Sequence, residues 1–396
     1  MSTAKKSIKG VTINKKGVYD GYTLVAPLGG YNIWLINNEG DVVHHWPLEH
    51  QPAFFGRLLP NGNLLYQGME ELNPQGPVLK VVDADGNVVV DLVMGGGEYL
   101  VELDWEGNKV WEHRNAYLNH DFFRMENGNT MAVCYELLPD ELKKDIIGGI
   151  DLGDDVPMWC DKLIEIDKEG NVVWEWKTYE HLDFSKDVFC PLEHRAEWTH
   201  QNTCTVLSDG DVLASFRTLD SIVRIDRETG KIKWRFGNGG VADGEIAHQH
   251  EPTLLDNGNI LVFDNGEHRR YSRYSYTRLV EVDPKSNEVV WEYKEDPPFS
   301  WFCGCQGGCQ RLPNGNTIVA DTMIGRLFEV THAGEKVWEY MSPFYGTHGF
   351  EEPNPMIYRV YKYGKDYGAF AGKDLSPKKY EWVNRLYGRS ACAKVK

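Results

Sequence analysis

The sequence predicts an all-β chain built as a six-bladed β-propeller of four-stranded antiparallel blades, on three observations. First, one short unit recurs: a polar turn with Gly or Asn, then a β-branched strand ending in Trp-Glu or Trp-Arg. It reads DWEGNKVWEH from Asp104, DKEGNVVWEW from Asp167, DRETGKIKWRF from Asp226, DPKSNEVVWEY from Asp283 and THAGEKVWEY from Thr331, with NNEGDVVHHW from Asn37 as a looser copy. Second, a different unit alternates with it, an NGN or DGD turn between apolar runs. It appears as LLPNGNLLY (Asn61), RMENGNTMAV (Asn127), VLSDGDVLAS (Asp209), LLDNGNILVF (Asn257) and RLPNGNTIVA (Asn314). Such turns between alternating apolar residues are the strongest short-range hairpin signal. Third, the two hairpins together repeat every ~40–50 residues, the period of a propeller blade.

Taken in order, residues 1–18 read as an N-terminal tail. GYTLVAP from Gly21, YNIWLINN from Tyr31 and VVHHWP from Val42 supply three strands of one blade, and MIYRVYKYG from Met356 supplies the fourth, so that no sheet edge is left open. The other five blades begin near Phe54, His120, His200, His250 and Gly307. An added hairpin, LKVVDADGNVVVDLV from Leu79, enlarges the first of these. An insertion over 136–160 enlarges the second, with a short helix, LPDELKKDI from Leu138, and an acidic loop of the kind that serves as a lid. Residues 364–396 form a C-terminal extension, and the whole chain, 1–396, reads as one propeller domain. The Trp of the VVWEY unit is expected to pack blade against blade.

Hydrophobic content of 41% is ample for a core and excludes a disordered chain. The net charge of -17 repels phosphate backbones and anionic lipid, which argues against nucleic-acid and membrane partners. The N-terminal stretch carries lysines but no apolar run long enough for a signal-peptide core, and no window reaches the length of a membrane span, so a cytoplasmic location is expected. The eight cysteines match no small disulfide framework and are expected to be reduced.

The first strand of a propeller blade lines the central channel, so positions equidistant from the NGN turn fall at equal heights. Seven residues before the turn lie His120, Asn202, His250 and Gly307, and His200 shares a strand face with Asn202. Three blades are thus predicted to point His120, His200 and His250 into one cavity, with Arg217 on a neighbouring strand reaching the same space. Burying imidazoles unpaired costs several kcal/mol, roughly, which a shared site would explain.

The order WTH-x-N from Trp198, S-x-R-x-x-x-S from Ser215, QH at Gln249 and His250, FDNG from Phe263 and YSR from Tyr271, followed by VVWEY, resembles the bacterial PAPS-independent arylsulfotransferases, which are six-bladed propellers. NHDFFRMENGN from Asn119 is similar to that family's first histidine motif, and the likeness runs from about Tyr31 to Tyr363. It implies a ping-pong transfer of a sulfuryl group from a phenolic sulfate to a phenol, without a cofactor. His250 takes the nucleophile's place, and His200, His120 and Arg217 stabilise oxyanion and leaving group. Neutral imidazole is a competent nucleophile near pH 7, and fixed Arg and His donors suit the charge on a sulfuryl group in flight. Residue 218 is Thr where the family often has a further His.

The partner expected is a small aromatic molecule, with Trp198, Asn202, Tyr274 and Trp301 as substrate contacts and Tyr271, Tyr276 and Phe302 as further stacking candidates. Asp264 and Asn265 are read as shaping a turn, and His348 as a rim residue. Cys303, Cys305 and Cys309 match no standard zinc knuckle and read as small residues packed near the axis. Two other classes stay open. One is a metal-dependent lyase, hydrolase or oxygenase holding a transition metal on His120, His200 and His250, with His194, His248 and Glu197 as spare ligands. The other is a non-catalytic scaffold.

Overall fold

The computed structural model describes residues 9–70, 78–82, 88–93, 96–237, 245–270, 272–347 and 352–388. The chain is all-β, and its blades make it a six-bladed β-propeller. It divides into two compact units, one of residues 1–72, 99–114 and 306–396, the other of 73–98 and 115–305.

In the first unit, Tyr361–Gly364 pairs with Gly21–Val25, which continues to Asn32–Ile36 and Val42–Pro47, as the strand bookkeeping requires. The second blade there is Gln51–Leu58, Leu64–Met69, Tyr99–Leu103 and Lys109–Arg114. The third runs from Gly308–Arg311 to Lys336–Met341 and gains a fifth strand, Gly10–Asn14, on its outer edge. The expected tail over 1–18 is therefore partly a strand. Its β-branched Val-Thr-Ile run suits a pleated edge, and Thr12 Oγ1 donates to Glu339 Oε2 at 2.7 Å.

The second unit holds three blades of its own. Leu118–Arg124 leads Thr130–Leu137, Trp159–Ile166 and Val172–Lys177; Gln201–Val206 leads Val212–Phe216, Ser221–Ile225 and Ile232–Gly237; His250–Leu254 leads Ile260–Asp264, Arg278–Asp283 and Glu288–Tyr293. The added hairpin is a separate two-stranded sheet, Val78–Val82 with Val88–Val93. The predicted helix is a 3₁₀ turn, Asp140–Asp145, with no buried residue and no side-chain cap. Six residues without an apolar face cannot repay the cost of nucleating an α-helix. Among the described residues no helix is long and apolar enough to cross a membrane.

Turn chemistry explains the hairpin repeat. In all five NGN or DGD turns the first residue's Oδ1 accepts from the N–H two residues on, at 2.9 to 3.2 Å. The Gly between them sits at φ +85° to +93°, a region that costs glycine little and other residues much. The outer-strand tryptophans are pegs between blades. Trp46 Nε1 donates to Asp104 O and Trp338 Nε1 to Asn38 O in the first unit, while Trp176 Nε1 donates to Gly230 O and Trp234 Nε1 to Asn287 Oδ1 in the second. Each indole buries its rings against the next blade and satisfies its only donor on that blade's turn.

Candidate functional site

In the second unit all three innermost strands slip register at or beside a histidine. The breaks lie between Leu118 and Phe122, between Gln201 and Thr203, and between His250 and Thr253. Such bulges bend a strand and re-aim a side chain. Backbone strain lies at and around two of these breaks and on nearby connections: His200 (φ +44°), Asp220 (+47°), His248 (+53°), Glu251 (+45°) and His268 (+55°) all occupy the left-handed region without being glycine. Positions of this kind cost of order 1–3 kcal/mol each and persist where the surroundings over-determine them.

His120 and His200 meet, with ring centroids 4.4 Å apart and planes inclined at 51°. His200 Nδ1 lies 2.7 Å from Glu197 Oε2, so a carboxylate accepts the Nδ1–H and fixes the orientation of that ring. Beneath them Asp161 is fully buried and accepts from Asn119 Nδ2 (2.7 Å), Thr199 Oγ1 (2.6 Å) and the Gln201 N–H (2.7 Å). It ties the residue before His120 to the residues on either side of His200. Burial and then the charge of Glu197 hold Asp161 above the usual carboxylate range, against those three donors.

His250 is buried, with Nδ1 2.7 Å from Asn265 Oδ1 and 3.2 Å from the His248 carbonyl. Asn265 is itself fixed: its Nδ2 donates to Cys303 O at 2.7 Å, and Thr277 Oγ1 donates to its carbonyl at 2.9 Å. With the amide nitrogen committed, Oδ1 can only accept. His250 therefore carries a proton on Nδ1, which in the neutral ring leaves the lone pair on Nε2.

Arg217 is the hub between these parts. Its backbone N–H bonds His200 O at 3.2 Å, and its guanidinium donates to Glu193 Oε1 (2.8 Å) and Glu267 Oε2 (2.7 Å). Burial alone would raise both carboxyls, but for Glu193 the Arg217 charge, and for Glu267 the neighbouring His248 and then Arg217, outweigh it and hold both below the usual range. His248 is fully buried beside them, with Nδ1 3.5 Å from each carboxylate and Nε2 3.9 Å from Asp220. Its ring lies edge-on to His268 at 4.9 Å, and His268 Nδ1 is 3.5 Å from Cys190 Sγ. Burial above all lowers the His248 pKa, and burial pushes the Cys190 thiol up to about 11.

The family model for arylsulfotransferase (ASST) matches residues 32–343. The chain belongs to the arylsulfotransferase family. No curated protein matches it. Three solved structures show a loose likeness to it. A protein of unknown function from Bacteroides caccae is 14% identical at TM-score 0.48, covering 86% of this chain and 98% of that one. Virginiamycin B lyase from Staphylococcus aureus is 13% identical at TM-score 0.38, covering 71% and 74%. Hydrazine synthase of Kuenenia stuttgartiensis is 10% identical at TM-score 0.41, covering 70% and 76%.

On this arylsulfotransferase-family frame the expected substrate contacts part company. Trp198 is a core residue: it is fully buried, stacked on Phe184 at 4.9 Å, with Nε1 donating to Asp187 O at 3.4 Å. Asn202 is a tie, donating to Gln249 O at 2.8 Å. Trp301 is buried edge-on to Phe263 at 5.8 Å, whereas Tyr274 is exposed, 5.4 Å from Phe299. Thr218, in place of the further histidine, donates to Trp198 O at 2.5 Å. Cys303 is fully buried and its thiol faces Cys305 O at 3.4 Å, while Cys309 belongs to the other unit. Tyr271 and His348 lie outside the described residues.

Among the described residues, metal-type donors converge within 4.8 Å in two sets, Cys190 with His248 and His268, and Glu193 with His248 and Glu267. Neither contains His120, His200 or His250. Periodicity gave no sign of Glu193, because its strand Phe189–His194 lies outside the blade repeat and pairs with Gly148–Ile150. Asn265 had a signal, the FDNG motif, but its role depends on where Cys303 O falls.

Proposed function

We propose that this arylsulfotransferase-family chain transfers a sulfuryl group from a phenolic sulfate ester to a phenol through His250. The observation that carries the reading is the fixed tautomer of His250, whose Nδ1 is held by Asn265 Oδ1 at 2.7 Å so that Nε2 keeps a lone pair. Nε2 attacks sulfur, the sulfur–oxygen bond to the ring breaks, and the phenolate leaves with that electron pair. The imidazole becomes a cation at that moment, and its Nδ1–H bond to Asn265 strengthens as charge develops. His200, held by Glu197, supplies the proton the phenolate takes, with His120 against its ring. In the second half an acceptor phenol gives a proton back to His200 and its oxygen attacks sulfur, breaking the N–S bond. Arg217, oriented by Glu193 and Glu267, offers its remaining N–H groups to the equatorial oxygens.

The test is direct. Wild-type protein given 4-nitrophenyl sulfate and a phenol should release nitrophenolate, and quenched samples should show a mass gain of one SO₃ on the peptide containing His250. His250→Ala should lose both. Wild-type turnover in that variant sinks the nucleophile assignment.

A further inference from the structure

We infer that Glu193, His248 and Glu267 form a divalent transition-metal site, with His268 and Cys190 at its open side. Glu193 and Glu267 also orient Arg217 in the sulfuryl-transfer reading, but the claim is tested apart from it, because metal binding is read without turnover. His248 is fully buried, and neither ring nitrogen makes a hydrogen bond. Two carboxylate oxygens, Glu193 Oε1 and Glu267 Oε2, each stand 3.5 Å from its Nδ1. That separation is too long for a charge-assisted hydrogen bond, which closes to about 2.7–2.9 Å. It matches ligand spacing: a tetrahedral ion with bonds of about 2.1 Å sets its donors about 3.4 Å apart. All three donor atoms lie within 4.8 Å of one another.

Neighbouring groups complete the argument. His268 Nδ1 is 4.0 Å from Glu193 Oε1 and 3.5 Å from Cys190 Sγ, so a fourth donor of nitrogen or sulfur type stands on one side. Both carboxylate oxygens also accept from Arg217, but each has a second lone pair. One guanidinium against two carboxylates leaves net negative charge for a cation to neutralise. The mixed donor set, imidazole and carboxylate with a thiol at hand, selects a borderline ion such as Zn²⁺ over Mg²⁺, which asks for oxygen in a near-ideal octahedron. The strained backbone at His248 and His268 supports a preformed site, since both φ values hold imidazoles in one place.

The experiment is calorimetric titration of the full chain, stripped with chelator, with Zn²⁺ and separately with Mg²⁺. We expect one Zn²⁺ per chain and no comparable Mg²⁺ binding. His248→Ala and the isosteric Glu267→Gln should each weaken Zn²⁺ by on the order of 100-fold. Glu267→Gln guards against a folding defect in the first variant, and melting curves of both are recorded. Because the readout needs no turnover, its outcome is separate from that of the sulfohistidine test. Absence of saturable Zn²⁺ binding to the wild-type chain overturns the site, and so does Zn²⁺ affinity unchanged in both variants.

Discussion

Replacing Asn265 with Leu should slow transfer while leaving His250 in place. The substitution keeps roughly the same volume but removes the acceptor 2.7 Å from His250 Nδ1, leaving that N–H only the His248 carbonyl at 3.2 Å. It also takes the donor from Cys303 O, which keeps Thr277 Oγ1 at 3.4 Å. Stability should fall by about 1–3 kcal/mol, the usual cost of leaving a buried polar group under-satisfied. The larger effect is on rate, because the lost bond is one that becomes charge-assisted as the imidazole turns cationic. A bond to a charged group contributes about 1.5–3 kcal/mol, which corresponds to roughly 10- to 150-fold in kcat. The assay is nitrophenolate release under saturating donor, paired with nitrogen NMR of the His250 ring and a melting curve. A folded variant whose kcat stays within about twofold of wild type, with the proton still on Nδ1, refutes the tautomer argument, since less than ~0.5 kcal/mol would then have been lost.

Glu197→Gln should reduce transfer by on the order of 10²-fold, because the carboxylate 2.7 Å from His200 Nδ1 no longer supports the proton that ring delivers; single-turnover rates check this. Arg217→Met should destabilise the fold at neutral pH. Glu193 and Glu267 have depressed pKa values in the native protein, so their pairing contributes above the ordinary value of 4.5 and is lost as pH falls through the lower native values. The variant's deficit in melting temperature should therefore shrink as the pH drops below that value. His44, whose Nε2 donates to Trp105 O at 2.9 Å, is held neutral chiefly by burial, and its pKa falls from 6.5 to about 4. Only the unfolded chain protonates in that window, so stability should decline from pH 6.5 to about 4, by about 3 kcal/mol at the end. Urea titrations of wild type and His44→Gln should show the slope flattened in the variant. Trp198→Ala should cost about 3–5 kcal/mol of stability, as a core deletion does, and a loss of substrate affinity at unchanged melting temperature would show it to be a substrate contact instead.

The sequence by itself determined the blade count, the turns and the strand that closes the N-terminal blade. These are local signals: an NGN turn carries its own hydrogen bond and its own left-handed glycine, and repetition multiplies the evidence. It also placed His120 and His250 on inner strands, because spacing from a turn fixes height along a blade, whereas His200 falls just before its strand, Gln201–Val206, in the left-handed region. The tertiary structure alone decided what surrounds them. Glu193 meets Arg217 from 24 positions away and Glu267 from 50, and Asn265 is turned toward His250 by a carbonyl 38 positions on. Contacts of that range leave no period in the chain. Trp198 and Tyr274 show the same limit from the other side. An indole or phenol reads alike in the sequence whether it fills a core or faces solvent, and only packing separates the buried Trp198 from the exposed Tyr274.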